Sequence, residues 1–193
     1  AAPLYDIHIY NNTIITDKEC AVVQVPVQQG PLQMYTQIPF PYYPKIVNIN
    51  HDIPSFASIG QVFLGFSSDI DLNAAGPKGI KVLPLLTTSP KTGVANEFAV
   101  VQASGTMLPD TMFKSKDLSV GAIFEGKFKS FYNGKPIPSD TVQGSSPAPT
   151  TVKPESPDSK IIVLSNGDFP QDEFRGPDEN LLFFANMIDY MSD

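Results

Sequence analysis

Tryptophan is absent from this chain, cysteine occurs once and histidine twice among 193 residues. One thiol, Cys20, cannot close an internal disulfide, and a solitary cysteine offers neither the spacing of a zinc site nor that of a redox pair. Basic residues are scarce as well. Thirteen Lys and Arg against 20 Asp and Glu leave a formal charge of −7, and Lys127, Lys129 and Lys135 are the nearest approach to a basic group. Nucleic acid is thereby excluded as a partner, since neutralising phosphates takes a dense basic face. Nowhere do about 18 apolar residues run together, so no segment reads as a membrane-spanning helix. Ala1-Ala2-Pro3 lacks the basic and apolar regions of a signal peptide. Also missing are the Gly-x-Ser-x-Gly elbow, the phosphate-cradling glycine loop ending in Lys-Ser/Thr, Gly-x-Gly-x-x-Gly and His-Glu-x-x-His, and with them the commonest catalytic chemistries.

What is present folds. Hydrophobic residues make up 41% of the chain and charged ones 17%, a balance far from that of disordered segments. The length suits a single domain that buries roughly two-thirds of its unfolded surface. The pattern opens in mid-strand at Leu4-Tyr5-Asp6-Ile7-His8-Ile9-Tyr10 and stops just after an apolar helix at Met191. That reads as a piece of a longer chain whose membrane anchor lies elsewhere.

The first half reads as short strands broken by Pro, Gly and Asn. Val22 to Val27 and Leu32 to Ile38 are the clearest, rich in β-branched or alternating apolar residues. Gln28-Gln29-Gly30-Pro31 supplies a hairpin connection, so the two strands are expected to pair. Ile38-Pro39-Phe40-Pro41-Tyr42-Tyr43-Pro44 alternates proline with aromatics, which forbids helix and central strand and favours an extended course. Its rings are either a ligand-facing ledge or a plug at the edge of the core. Gln61 to Phe66 and Lys81 to Leu86 read as strands. The second ends in Thr87-Thr88-Ser89-Pro90, a hydroxyl-rich turn that is either a ligand edge, as at the carboxyl ends of open α/β sheets, or ordinary turn punctuation.

Val120 to Phe131 begins as a buried strand and then alternates, with Gly121 and Gly126 hinting at a bulge or a close backbone approach. Residues 133–159 collapse into Pro, Ser, Thr, Gly and Lys and read as a long mobile loop within the domain. Lys160 to Leu164 is a buried strand, Ser165-Asn166-Gly167-Asp168 its turn, and Asp178 to Met191 a helix with Asp178 as N-cap. Leu181, Phe184, Ala185 and Ile188 form one apolar stripe; Phe183, Met187 and Tyr190 form another. Such a helix should lie between the sheet and something else. The fold class expected is a β-rich α/β domain with a mixed sheet and few helices.

Candidate chemistry is thin. Cys20 with His8 or His51 and an aspartate can be drawn as a triad, but no cysteine-hydrolase signature surrounds Cys20. Asp168, Asp172 and Glu173 follow a strand end and offer hard oxygens, yet their spacing matches no calcium loop. No cofactor or metal is expected.

Four segments, in this order, carry a resemblance: Ile7 to Asp17, Val82 to Ser89 (Val-Leu-Pro-Leu-Leu-Thr-Thr-Ser), Gly121 to Ser130 with Phe-Glu-Gly-Lys-Phe-Lys-Ser, and Ile161 to Phe169 followed by Glu179-Asn180-Leu181-Leu182-Phe183-Phe184-Ala185-Asn186. Together they resemble the extracytoplasmic domain of gliding-motility-associated (GldG-type) ABC transporter auxiliary proteins. The resemblance implies a periplasmic domain tethered to the inner membrane by helices elsewhere in its parent, with an ABC permease and an ATPase as partners and the nucleotide chemistry left to the ATPase. It also implies part of a flavodoxin-like or glutamine-amidotransferase-like three-layer domain, a possible sugar or other small ligand, and no catalytic residues. Strand ends then make Thr88, Ser89, Ser165, Asn166 and Asp168 the ligand-binding candidates, with Glu125 and Lys127 second. Two other readings remain: a carbohydrate-binding module built on Tyr35, Phe40, Tyr42 and Tyr43, and a hydrolase using Cys20 or the Asp168 region.

Overall fold

In the computed structural model the described residues are 7–10, 12–29, 31–75, 79–96, 101, 108–136, 152–169, 171 and 177–192. Their elements run β1 (His8–Ile9), β2 (Thr13–Asp17), β3 (Cys20–Gln29), β4 (Leu32–Ile46), β5 (Asn48–Ile49), β6 (Val62–Phe63), β7 (Ile70–Asp71), β8 (Lys81–Thr87), β9 (Thr92–Asn96), β10 (Ser119–Gly126), β11 (Ser159–Leu164) and α1 (Asp178–Ser192). Single 3-10 turns stand at Pro54–Phe56 and Asp110–Met112. The architecture is β-rich with one helix, as expected, and every strand pair among the described residues is antiparallel. Most of the 133–159 loop, 137–151, lies outside the described residues, as do Gly30, Asp172 and Glu173.

The main sheet has the order β11-β10-β8-β5. Its middle strand β10 is buried from Ser119 to Phe124 because both of its faces are covered. Val120 and Ile123 join one core with Ile46, Phe56, Leu64, Leu86 and Phe183. Ala122 and Phe124 join a second with Ile70, Ile80 and Phe128. Strict alternation would put Val120 and Ala122 on one face. The register shifts on either side of Gly121 reset the parity, as a bulge does. A Cβ at Gly121 would stand 3.0 Å from Leu164 and 3.1 Å from Leu86, so glycine keeps the three strands close there.

Helix α1 seals the first core. Phe183 is fully buried with its ring 5.2 Å from that of Phe56, and Asn180 extends the edge of β6 as a strand would, accepting from Phe63 N–H at 2.8 Å and donating to Phe63 O at 2.9 Å. The Phe183, Met187 and Tyr190 stripe faces the core. Of the other stripe, Leu181 and Ile188 are each 53% exposed, while the Phe184 ring lies 6.3 Å from that of Phe169.

β3 and β4 form a long ribbon in register from Ala21↔Phe40 to Gln29↔Leu32, so the expected hairpin is present. β6 pairs with Lys45 and Ile46, and the chain after it continues along the same side of β4, with Leu64 N–H donating to Pro44 O at 3.1 Å and Phe66 N–H to Tyr42 O at 2.8 Å. Pro39 and Pro41 precede that bonded part, whereas Pro44 lies within it, so the expectation that this stretch could not form a central strand fails at its end. From Cys20 through Pro44 the sequence has no charged residue. Val23, Val25 and Val27 share one face with Ile38, Thr36 and Met34. Gln24, Pro26 and Gln28 share the other with Gln37, Tyr35 and Gln33. At the far end the apolar side chains stand in solvent, Leu32 67% and Tyr35 66% exposed.

Candidate functional site

A pocket forms where the β2–β3 turn meets the start of the ribbon and the 108–113 segment. It encloses about 130 Å³, with Cys20, Pro39, Pro41, Leu108 and Phe113 as walls and Lys18 and Asp110 at its rim. Three local features build it, beginning with Asp17. This carboxylate is wholly buried at the end of β2. Its Oδ1 accepts from Glu19 N–H at 2.8 Å and the Ser89 hydroxyl at 2.6 Å, and its Oδ2 accepts from Ser89 N–H at 2.8 Å. The Glu19 bond is an Asx turn. It fixes the bend that points Lys18 and Cys20 at the pocket.

The second feature is a hydroxyl chain behind Asp17. Thr92 Oγ1 lies 2.7 Å from Ser89 O, 2.9 Å from Thr88 Oγ1 and 3.2 Å from Asp17 Oδ2. It has one proton, which the shortest contact assigns to Ser89 O. The Thr88 hydroxyl, which accepts from Leu118 N–H at 2.9 Å, then donates to Thr92. The third is Gly93, where a Cβ would stand 2.6 Å from Met112 O. Only glycine lets the Asp110–Met112 turn close against β9. Thr92 and Ser115 exchange both backbone bonds, at 3.0 and 2.8 Å, and hold that closure.

At the rim, Lys18 Nζ meets Asp110 Oδ1 at 2.5 Å and lies 5.4 Å from the centre of the Phe113 ring. The Lys18 ammonium holds the Asp110 carboxyl below the usual carboxylate range. Burial pushes the Cys20 thiol up, against the opposing effect of the Phe40 N–H, so the sulfur is a neutral wall group at pH 7. Neither histidine lines the pocket. His51 Nε2 is engaged with Ile59 O at 3.0 Å, and His8 sits on β1 opposite Asp71. Among the described residues no three His, Cys, Asp or Glu side chains gather to hold a metal.

The ligand candidates from the sequence divide into three groups. β8 and β11 both run antiparallel to β10, so they share a direction, and Leu86 and Leu164 face the same residue, Gly121. The Thr88-Ser89 and Ser165–Asp168 turns therefore leave the sheet at one end. Thr88 and Ser89 point inward, however, and their hydroxyls are taken up around Asp17. Ser165 returns to the strand, its N–H donating to Val120 O at 3.0 Å. Asn166 Nδ2 donates to Gly65 O and its Oδ1 accepts from Asp168 N–H at 2.8 Å. Asp168 is exposed, within 3.0 Å of Gln171 Nε2. Glu125 ties strand to helix, accepting from Lys81 at 2.9 Å and from the Tyr190 hydroxyl at 2.6 Å, while Lys127 points to solvent.

The aromatics nominated for sugar binding do not share a surface. Tyr42 is buried beneath Phe40 and Phe66, Tyr43 packs near Phe63, and Tyr35 stands at the far end of the ribbon. The exposed ring of that cluster is Phe66, which sequence reasoning missed, and whose φ of +52° is a strained conformation for a bulky residue. Asp17, Lys18 and Asp110 were also missed. Asp17-x-Glu19 is the signature of an Asx turn, but nothing local to Asp110 marks it as Lys18's partner.

The family model described as ABC-type uncharacterized transport system matches residues 4–193. No curated protein and no solved structure gives a significant match. No helix among the described residues is long and apolar enough to cross a membrane.

Proposed function

From the premise that the chain belongs to the family of auxiliary components of an ABC-type transport system, we propose that it is the non-catalytic extracytoplasmic domain through which that component engages its permease and ATPase. The finer placement, in the gliding-motility-associated branch and as part of a flavodoxin-like or glutamine-amidotransferase-like layered domain, belongs to the same proposal.

The observation that carries this reading is the β3–β4 ribbon. Its tip exposes Val27, Leu32 and Met34 on one face and Tyr35 on the other, and clustered exposed apolar side chains mark a contact surface. Its edges are protected against indiscriminate strand addition. Proline cannot donate to a partner strand, so Pro26, opposite Tyr35, and Pro39, opposite Val22, must present their nitrogens outward, which blunts both edges. Docking through the side-chain faces is what remains. A surface without charge suits an equally uncharged partner, such as the part of a permease that meets the membrane.

The test is an affinity capture from membranes, using the tagged full-length parent and the same protein lacking these 193 residues. Permease and ATPase recovered only with the intact parent support the reading. Equal recovery from both moves assembly to other parts of the parent and refutes it.

A further inference from the structure

The pocket beside Cys20 combines an apolar interior with two opposite charges at its mouth. Its volume, about 130 Å³, is on the scale of the roughly 150 Å³ cavity known to hold benzene. It therefore takes one aliphatic side chain or one ring and no more. The interior favours hydrocarbon, since the walls are two proline rings, Leu108, Phe113 and a thiol. The rim pair is exposed, Lys18 at 35% and Asp110 at 86%, and exposed pairs hold weakly and exchange partners readily. The Phe113 ring beneath Lys18 keeps the ammonium at the rim when it releases Asp110.

Charge complementarity then narrows the ligand. An anion alone would meet only Lys18 and a cation alone only Asp110, so either would use half of the rim pair. A sugar would need several fixed hydrogen-bonding groups where the walls offer hydrocarbon. A neutral hydrocarbon would leave the rim pair unused. We propose that the pocket binds a zwitterionic α-amino acid with an aliphatic side chain, its carboxylate taking Asp110's place at Lys18, its ammonium taking Lys18's place at Asp110, and its side chain filling the space against Cys20.

This site is independent of the coupling role. Membrane capture reads coupling and calorimetry reads the pocket, so either can fail alone. Isothermal titration of the chain with L-leucine is the direct test. Saturable heat is expected with L-leucine. Binding should be about 10-fold or more weaker for L-leucinamide, which lacks the carboxylate, and for 4-methylpentanoate, which lacks the ammonium. L-serine should show none. Lys18→Met and Asp110→Asn should each weaken leucine binding by about 10-fold or more while urea titration shows them still folded. Cys20→Leu should abolish it by filling the space. Absence of saturable heat with leucine, isoleucine and valine overturns the proposal. So does leucinamide binding as tightly as leucine, or an Asp110→Asn variant with unchanged affinity.

Discussion

The Tyr190 hydroxyl, on the helix, donates to Glu125 Oε1 on β10 at 2.6 Å, and the same carboxylate accepts from Lys81 on β8 at 2.9 Å. One side chain thus links the helix to two strands of the main sheet. Its environment shows in the titration of both partners. The Tyr190 hydroxyl, followed by Lys81, holds the Glu125 carboxyl below its ordinary range, and burial followed by the Glu125 charge pushes Tyr190 up to about 12.

Tyr190→Phe should cost about 1.5–3 kcal/mol at pH 7, the range for a hydrogen bond to a charged group, measured by urea unfolding. The pH dependence follows from the two shifts. Glu125's depressed folded value means its contribution is present above the unfolded value of roughly 4.3 and is lost as pH falls through the lower folded one. Tyr190's raised value means its contribution is complete below roughly pH 10 and is lost as pH rises through about 12. The difference between wild type and Tyr190→Phe should therefore be widest between these limits and narrow on the acid side.

Asp69 has the opposite sign. Burial raises its carboxyl above the ordinary value despite the bond from Ser119 N–H at 3.1 Å. The folded state then binds the proton more tightly than the unfolded one, so ionisation opposes folding as pH rises through the shifted value. Asp69→Asn keeps an acceptor for Ser119 and removes the charge. It should stabilise the fold at pH 7, with the gain fading in acid as the wild-type group protonates.

Asp17→Ala should be among the most damaging single changes. It strands the buried Ser89 N–H and Ser89 hydroxyl at about 1–3 kcal/mol each, giving a loss above about 2 kcal/mol. The exposed Asp52→Ala serves as the control and should move the urea midpoint little.

Thr16→Val should act in the other direction. Thr16 is fully buried on β2, and its Oγ1 has no hydrogen-bond partner among the described residues. Replacing the hydroxyl by a methyl group removes a desolvated polar atom and should raise stability by about 1 kcal/mol in the same assay.

Much of this architecture was legible in the sequence. The alternation in Val22 to Val27 and Leu32 to Ile38 announced the hairpin, the prolines of 39–44 announced an extended course, and two apolar stripes announced a helix packed on the sheet with a second apolar face turned away from it. Gly121 announced the bulge. Partnerships between distant segments were not legible. β2 pairs with β9 across the intervening strands, and Thr92 reaches Asp17 over a separation of 75 residues. Lys18 reaches Asp110 over 92. The Thr-Thr-Ser turn was visible as a cluster of hydroxyls at a strand end. That its hydroxyls face a buried carboxylate depends on where β2 lands, which no local pattern states.

The most direct test of the coupling role places a photo-crosslinking residue at Met34, at Tyr35 or, as control, at the exposed Lys127 in the full-length parent and irradiates intact membranes. The account predicts crosslinks to the permease from positions 34 and 35 and none from 127. Crosslinks of equal yield from all three positions, or none from the ribbon in membranes where the complex is assembled, would contradict it.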